Sequence, residues 1–405
     1  MNAALDAYRR VAGEAAVAGF LEAARSLRGL RLLHVCSSGR GGGVAELLKR
    51  QVPLMRQAGI EVSWLVLRGE AGFLAITKDI HRALQGDPRR LSPEAWEGFE
   101  AGALGWAAGN PLDADVVVIH DPQPLPLVLL RGSRPASWIW RCHIDLGSPD
   151  PAAWAPLLRR YVTGFDATVV STAETAAAFP FTPFVSAPSI DPLSDKNREL
   201  TAGEAAAAAR RYGLGGRPYL LQVARFDAFK DPVGVVRAFR SVRRQFDCEL
   251  VLASGSAEDD PEQLGVLEQV RAEAEGLREV RLLFLEPDLD LDINALQRGA
   301  AVIVQKSLRE GFGLPVAEAM WKGRCVVGGR TSGIALQIAD GVNGYLVDSP
   351  EEAAERILRL LRDPQGAAAM GAAARESVRE RFLVLRELTD YCRIIKAVRA
   401  GGRPG

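Results

Sequence analysis

The chain has 405 residues, of which 48% are hydrophobic and 25% charged, and its 50 lysines and arginines balance its 50 aspartates and glutamates. This length predicts two or three domains, because one domain usually takes about 100–200 residues. The balanced charge predicts no general attraction to nucleic acid or to an anionic membrane, so neither is expected as a partner. Any anionic ligand must therefore be held by a local group of cations.

The cysteines and the N-terminal segment both predict a cytoplasmic protein. The five cysteines are scattered and form no CxxC pair, which argues against a disulfide framework or a zinc site. Residues 1–30 are Ala-rich, but charged side chains interrupt every apolar stretch. This segment is therefore predicted to be an amphipathic helix packed on the first domain, and neither a signal peptide nor a membrane span.

From residue 31 onward, short β-rich runs alternate with longer segments of helical spacing. Near-continuous apolar strands separated by helices indicate parallel sheets that are covered on both faces. The first series of predicted strands is 31–36, 61–67, 115–119, 137–142 and 167–171, with a helix over 44–58. The second series is 218–224, 249–254, 280–285, 300–304, 325–328 and 344–347.

The two series predict an α/β protein with two Rossmann-like domains that face a central cleft. Ligands of such sheets lie beyond the carboxyl ends of the strands. The predicted parts are an N-terminal Rossmann-like domain over 1–190, a linker over 191–216 with a helix near 202–212, a C-terminal Rossmann-like domain over 217–383, and a helical segment over 384–405 that returns to the first domain.

A glycine-rich loop, residues 39–43, lies between the first predicted strand and its helix. Glycines such as Gly42 and Gly43 allow backbone N–H groups to approach a phosphate or a sugar at a helix N-terminus. The alternative is a tight turn without a ligand. The dinucleotide fingerprint fails because Val44 occupies its last glycine position, so an NAD enzyme is disfavoured.

Two cations follow the first strand of the second series. Arg225 comes just after that strand, and Lys230 lies five residues later, before Pro232 opens a helix. Arginine binds phosphate oxygens bidentately and lysine acts as a point charge, so the pair is suited to a diphosphate and to the charge that develops as it leaves. The alternative is a pair of solvated surface cations.

Two carboxylates, Glu310 and Glu318, flank a loop and the start of a helix. Glycines surround Phe312, which is predicted to be exposed, and Pro315 starts the helix with Glu318 in its first turn. A carboxylate only accepts hydrogen bonds and therefore suits paired sugar hydroxyls. Backbone N–H groups of residues 311–314 are candidates for the diphosphate or the sugar. The alternative is one capping and one surface glutamate.

Polar residues of the first domain follow two predicted strands. His120 and Asp121 come after the strand 115–119, and His143 comes after the strand 137–142. The alternative for each histidine is a hydrogen-bonded structural residue. No tight His/Cys/carboxylate cluster predicts a metal site.

Arg225 and Lys230 followed by Glu310-x7-Glu318 resemble the donor site of retaining glycosyltransferases with the GT-B fold. The resemblance covers about residues 30–395. A closer similarity is to trehalose synthases of the glycosyltransferring type. The segments that carry it are GGGVAELL (41–48), HDPQP (120–124), WRCHIDLGSP (140–149), PSIDPLSDKN (188–197), REGFGLPVAEAMWKG (309–323) and GGRTSGIALQIADGVNGYLV (328–347).

The resemblance implies a role for each candidate residue. Arg225 and Lys230 would bind the donor diphosphate, Glu310 the donor sugar and Glu318 the ribose. Asp121 would bind the acceptor, and His143 would lie near the 6-hydroxyl of the donor sugar. His120 would either join the acceptor site or orient its loop, and Glu46 would either reach the acceptor or lie on the helix surface. The implied catalytic set is Arg225, Lys230, Glu310, His143 and Asp121, and Gly42, Gly43, Gly311, Phe312, Gly313, Leu314 and Glu318 would complete the donor site.

The implied activity is transfer of glucose, with retention, from ADP- or UDP-glucose to the anomeric hydroxyl of free glucose, giving α,α-trehalose. The partners are then a nucleotide sugar and glucose, with a homodimer as the expected assembly. No cofactor is required, and Mg²⁺ accompanying the nucleotide sugar stays open. The alternatives are a retaining trehalose phosphorylase and a GT-B protein that binds a nucleotide sugar without this activity.

Overall fold

The computed structural model describes residues 3–39, 42–132, 136–255, 261–286 and 289–402. It divides into two compact units, one of residues 1–189 with 384–405 and one of residues 190–383. Each unit contains a parallel sheet with helices between its strands, which confirms the predicted α/β class. Residues 191–216, predicted as a linker, belong instead to the second unit.

The first unit is built around one parallel sheet with strand order β2-β1-β3-β4-β5-β6. Its strands are β1 (Arg31–Cys36), β2 (Glu61–Val66), β3 (Val116–His120), β4 (Ser137–Arg141), β5 (Ala167–Val170) and β6 (Phe184–Val185). Its helices before residue 190 are α1 (Ala3–Ala12), α2 (Glu14–Arg25), α3 (Gly43–Gln57), α4 (Ala71–Leu84), α5 (Pro93–Ala108), α6 (Pro151–Arg160) and α7 (Ala173–Ala176).

The second unit has a parallel sheet with strand order β12-β11-β10-β7-β8-β9. Its strands are β7 (Tyr219–Val223), β8 (Glu249–Gly255), β9 (Val280–Leu285), β10 (Val302–Gln305), β11 (Val326–Gly329) and β12 (Tyr345–Val347). Its helices are α8 (Ala202–Arg211), α9 (Pro232–Arg243), α10 (Pro261–Glu273), α11 (Asp290–Gly299), α12 (Leu314–Trp321), α13 (Ser332–Ala335), α14 (Pro350–Arg362) and α15 (Pro364–Arg381).

The last helix, α16 (Val384–Arg399), belongs to the first unit and packs against α2 and α3. The N-terminal segment is two helices rather than the one that was predicted. Gly13 separates them with a φ of 92°, a conformation that side chains with a Cβ rarely adopt. Within the former linker, Thr201 and Glu204 form a reciprocal capping box at the start of α8, and α8 packs on α11.

The central strands of both sheets are buried on both faces, as near-continuous apolar runs require. Every residue of β3 is buried, and so is every residue of β10. Polar side chains that follow these strands therefore lie at the carboxyl edge of each sheet, where parallel sheets bind ligands. Both groups of candidate residues occupy such edges, one in each unit.

Candidate active site

The loop that follows β7 is fixed by side-chain hydrogen bonds to its backbone. Asp227 accepts a hydrogen bond from the Phe229 N–H at 2.8 Å, and the buried Gln222 amide donates to the Lys230 carbonyl at 2.8 Å. Asp231 then adopts a left-handed conformation, with a φ of 48°, and caps α9. Hydrogen bonds from the Phe229 N–H to Asp227 and from Gln222 to the Lys230 carbonyl thus fix the backbone of this turn.

Lys230 and Glu310 meet directly at this edge of the second sheet. Lys230 Nζ lies 2.6 Å from Glu310 Oε2, and both side chains are largely buried. Ser307 Oγ donates to the same carboxylate oxygen at 3.4 Å. Arg225 is not part of this contact, because its side chain is 63% exposed and its guanidinium pairs with Asp227 at 3.5 Å. The structure therefore brings together one predicted cation and one predicted carboxylate.

The loop after Glu310 differs from its prediction at Phe312. We expected an exposed aromatic ring, but Phe312 is 5% exposed and packs edge-to-face on Phe382 with ring centroids 5.5 Å apart. Gly313 has a φ of 85°, and a Cβ there would approach Glu310 Cγ to 3.1 Å. Glycine at this position thus allows the turn and leaves space for the glutamate, while the Phe312 ring anchors the loop in the core.

Glu318 also differs from its prediction. The helix α12 begins at Leu314, so Glu318 is its fifth residue and lies in the second turn, where the helix dipole contributes little. Its side chain is buried, with Gln297 Nε2 at 3.5 Å and Lys196 Nζ at 4.0 Å from the carboxylate oxygens. Neighbouring polar side chains, rather than the helix dipole, therefore stabilise this carboxylate.

The segment 188–197 has a structural role that the sequence did not reveal. Asn197 is buried and accepts a hydrogen bond from Lys322 Nζ at 2.9 Å through its side chain. Its backbone carbonyl accepts from Trp321 Nε1 at 3.2 Å. Lys196, the preceding residue, faces Glu318. The Lys196-Asn197 pair thus holds the C-terminal half of α12 and its glutamate.

Gly333 supports the same loop from behind. Its N–H donates to the Glu310 carbonyl at 3.1 Å, and a Cβ on Gly333 would lie 2.4 Å from the Phe312 nitrogen. A backbone atom cannot move aside as a flexible side chain can. A glycine is therefore required at position 333, because the backbones of Gly333 and Phe312 approach each other closely.

We expect Gly333→Ala to lower the free energy of unfolding by about 1–3 kcal/mol, as overpacking does, and, by displacing Glu310, to reduce the glycosyl transfer that the resemblance implies. Gly265→Ala is the matched control. Gly265 lies in α10, and a Cβ at this position meets no atom within 4 Å, so the substitution only replaces a glycine inside a helix. The free energy of unfolding of this control should rise by about 0.5–1 kcal/mol. Urea unfolding and initial rates measure both variants, and a Gly333→Ala protein as stable and active as the control would contradict this packing.

In the first unit, Asp121 holds the backbone at His143. Asp121 follows β3 with a φ of 61°, and its Oδ1 accepts the His143 N–H at 2.8 Å. Its carbonyl accepts from Trp140 Nε1 at 3.0 Å. Burial raises the pKa of the Asp121 carboxyl to about 6, although the His143 N–H and the Arg141 cation oppose that shift.

The histidines at this edge are hydrogen-bonded to one another. His34 Nδ1 lies 2.9 Å from His120 Nε2, and His120 Nδ1 lies 3.0 Å from His143 Nε2. His120 is buried and uses both ring nitrogens in these contacts, which favours the orienting role over direct contact with a sugar. His34 lies inside the apolar strand β1 and was not predicted as a site residue.

The glycine loop begins α3. Gly42 caps the helix with a φ of 78°, Gly43 is its first residue, and both are exposed. Glu46 lies in the first turn, and its N–H donates to the Gly42 carbonyl at 3.3 Å. Arg40 and Gly41 lie outside the described residues, so the phosphate or sugar role of this loop stays a prediction.

The described residues contain neither a cluster suited to a metal ion nor a helix suited to span a membrane. No group of three or more His, Cys, Asp or Glu side chains is arranged to hold a metal ion within the described ranges. Helices of the described part are all too short or too polar to cross a bilayer. That no cofactor is required, with Mg²⁺ accompanying the nucleotide sugar left open, stays a prediction.

Comparison with known proteins identifies the family. A family model described as "Trehalose synthase, N-terminal domain" matches residues 34–177, and one described as "Glycosyl transferases group 1" matches residues 208–377. The chain is 37% identical over 408 residues to a trehalose synthase of Pyrococcus horikoshii, covering 97% of this chain and 96% of that protein. The chain belongs to the trehalose synthase family. It is therefore an enzyme, a hexosyltransferase whose chemistry concerns trehalose.

Two further comparisons bear on fold and on the alternative activity. An α,α-trehalose-phosphate synthase (UDP-forming) from Burkholderia xenovorans has the same fold, with a TM-score of 0.72, 16% identity, and coverage of 90% of this chain and 100% of that one. The predicted GT-B fold is thus confirmed. A trehalose phosphorylase of Pleurotus pulmonarius is 29% identical, over 84% of this chain and 54% of that protein.

Proposed function

We propose that this member of the trehalose synthase family transfers glucose from ADP- or UDP-glucose to the anomeric hydroxyl of free glucose, with retention, to give α,α-trehalose. The contact between Lys230 and Glu310, at 2.6 Å, is the observation that supports it most directly. A cation and a carboxylate this close together suit the phosphate and a hydroxyl of one sugar phosphate.

The donor roles follow from residue chemistry. Lys230 supplies a compact charge to the departing diphosphate, and Arg225, whose exposed side chain pairs with Asp227, is proposed to rotate from that pair onto the same phosphates. Glu310 accepts hydrogen bonds from sugar hydroxyls, and Glu318 accepts them from the ribose. Backbone N–H groups of Gly311, Phe312, Gly313 and Leu314, with those of Gly42 and Gly43, are proposed to line the donor site.

The proposed reaction proceeds on one face of the sugar. The bond between C1 and the diphosphate oxygen breaks while Lys230 and Arg225 stabilise the developing negative charge. The acceptor hydroxyl attacks C1 from the face that the diphosphate leaves, and its proton passes to a phosphate oxygen. No carboxylate nucleophile of the kind that retaining glycosidases use is required. Asp121 and Glu46 are proposed to bind the acceptor, and His143 the donor sugar.

The setting proposed for the enzyme is cytoplasmic, as a homodimer, with no required cofactor. The five cysteines are free and buried, as in proteins of a reducing compartment. The diphosphate charge is compensated in this proposal by Lys230 and Arg225, so that Mg²⁺ would accompany the nucleotide sugar without being needed for transfer.

A panel of donors and acceptors tests the proposed activity. ADP-glucose, UDP-glucose and glucose 1-phosphate are each supplied with free glucose, and the anomeric protons of the product are read by NMR. Formation of α,α-trehalose from a nucleotide sugar is the expected result. Product from glucose 1-phosphate alone would instead identify a trehalose phosphorylase, and binding without any turnover would identify a protein that only binds the nucleotide sugar.

A further inference from the structure

Three of the four histidines of the chain form one hydrogen-bonded series in the first unit, which we call the histidine cluster: His34, His120 and His143. The rings of His120 and His143 are nearly parallel, with an interplanar angle of 12°. His34 and His120 are both almost fully buried. Each of the two contacts joins one ring nitrogen to another, so each contact must hold one proton.

Counting the ring protons restricts the cluster to two arrangements. Three neutral imidazoles carry three ring protons, and two of these lie in the two hydrogen bonds. One proton is left for the two outer nitrogens, His34 Nε2 and His143 Nδ1. If His143 Nδ1 carries it, each histidine donates toward His143, and if His34 Nε2 carries it, every bond is reversed. The tautomer of His143 is therefore determined by the tautomer of His34, and the reverse is also true.

The surroundings of the cluster keep it neutral. Burial lowers the pKa of His34 to about 3, and burial, the neighbouring rings and the Arg141 cation hold the pKa of His120 well below its usual value. The pKa of His143 is lowered in the same way, first by burial and then by Arg141. Burial of all three rings, together with the Arg141 cation, thus disfavours an additional proton on the cluster.

The two outer nitrogens lie in different environments. His34 Nε2 has no hydrogen-bond partner among the described residues, and its ring faces Tyr391 at 6.4 Å between centroids. His34 is fully buried, so an N–H on its Nε2 would lack both an acceptor among the described residues and the hydrogen bond that water gives it, and this end therefore favours a lone pair. At the other end, His143 is only half-buried at the carboxyl edge of the sheet, where a ligand hydroxyl can accept a hydrogen bond from an Nδ1–H. Arg141 opposes this preference, but Glu387 lies 3.8 Å from its guanidinium.

We propose that His34 and His120 are positioning residues that fix His143 as the tautomer with its proton on Nδ1, so that His143 donates a hydrogen bond to a hydroxyl of the bound sugar. His143 Nδ1 is buried without a partner among the described residues, and a ligand hydroxyl would complete its hydrogen bonding. This inference rests on the proposed function for the identity of the ligand, but the tautomer itself does not depend on turnover.

Nitrogen NMR of the full chain tests the tautomer. Histidine labelled with ¹⁵N gives four ring systems, and His81→Asn identifies the one outside the cluster. Two-bond ¹H–¹⁵N correlations are expected to show His143 with a protonated Nδ1 and an unprotonated Nε2. A proton on His143 Nε2 would overturn the proposal, whatever the enzyme transfers. A failed donor panel with the expected tautomer would overturn only the proposed function.

Two nearly isosteric variants test the positioning role. In His34→Asn the side-chain amide replaces Nδ1 as the donor to His120, whereas His34→Leu removes that donor. We expect His34→Leu to lower kcat/KM about tenfold, as loss of one buried hydrogen bond would, while His34→Asn stays within about threefold of the wild type. Thermal unfolding monitors both folds. Equal losses in the two variants, or none in His34→Leu, would contradict the role, and the tautomer measurement decides alone if His34→Leu does not fold.

Discussion

Lys230→Ala and Glu310→Ala are each expected to lower kcat/KM for glycosyl transfer by at least about 100-fold, which corresponds to about 2.7 kcal/mol of transition-state stabilisation. Lys230 is proposed to meet charge that appears only as the diphosphate leaves, so its loss should fall mainly on kcat. Glu310 is proposed to accept hydrogen bonds from the hydroxyls of the donor sugar, so its loss should affect both kcat and KM. Initial rates with the donor that the panel identifies measure these effects.

The 2.6 Å contact adds a prediction about the double variant. In Lys230→Ala the Glu310 carboxylate remains near the departing diphosphate without its cation, and like charges repel. The variant that lacks both residues has no such repulsion. Its loss should therefore be smaller than the product of the two single losses, with a coupling free energy of about 0.5–3 kcal/mol.

Arg237→Ala provides the matched control for these variants. Arg237 lies on α9 of the same unit and pairs with Glu273 at 3.0 Å, but its side chain is 60% exposed. Exposed ion pairs contribute about 0–1 kcal/mol, so this variant should retain the wild-type rate. Rates near those of the wild type in both Lys230→Ala and Glu310→Ala would remove the basis of the proposed donor site, and strictly multiplicative losses would contradict the coupling.

The strands could be predicted from the sequence because their pattern depends on few physical factors. A strand that is buried on both faces of a parallel sheet must be apolar throughout, and the run 31–36 was recognised for this reason and forms β1 with the same bounds. Chain order and strand ends then placed Lys230 and Glu310 at one sheet edge. Parallel topology alone brings such residues near each other, and no knowledge of side-chain packing was needed.

The errors concern residues whose environment depends on distant parts of the chain. Phe312 looked exposed because glycines flank it, but Phe382, 70 positions later, covers its ring. His34 was missed because a histidine between apolar neighbours is usually structural, and only the adjacency of β1 and β3 reveals its contact with His120. The pair formed by Lys306 and Asp231 beside Lys230 was missed for the same reason, since 75 residues separate its partners.

The second large effect is expected at Asp121, where stability and activity should change in opposite directions. Its folded pKa, about 6, lies above the ordinary value of 3.8. The protonated carboxyl therefore contributes stability below about pH 4, and this contribution is lost as the pH rises through 6. At pH 7.5 the ionised, largely buried carboxylate lowers the free energy of unfolding by up to about 3 kcal/mol. The pKa difference of about two corresponds to this amount at about 1.4 kcal/mol for each pKa unit.

Asp121→Asn should therefore raise the free energy of unfolding at pH 7.5, and the gain should disappear near pH 4. Asparagine tolerates the positive φ of this position and can still accept the His143 N–H. Its amide cannot replace a carboxylate that accepts hydrogen bonds from acceptor hydroxyls, so kcat/KM should fall at least about tenfold. In the wild type, the same requirement predicts that activity declines as the pH falls below about 6.

Urea unfolding at pH 7.5 and pH 4, with rates measured between pH 5 and 8, tests both parts. Asp113→Asn is the control, because Asp113 belongs to the same unit and its side chain is 78% exposed. It should change neither the rate nor the pH dependence of stability appreciably. If Asp121→Asn is instead less stable at pH 7.5, the hydrogen bond from the His143 N–H to the carboxylate outweighs the cost of burying the charge. An unchanged rate in Asp121→Asn would show separately that other residues bind the acceptor, and Asp121 would then serve mainly to hold the backbone of His143.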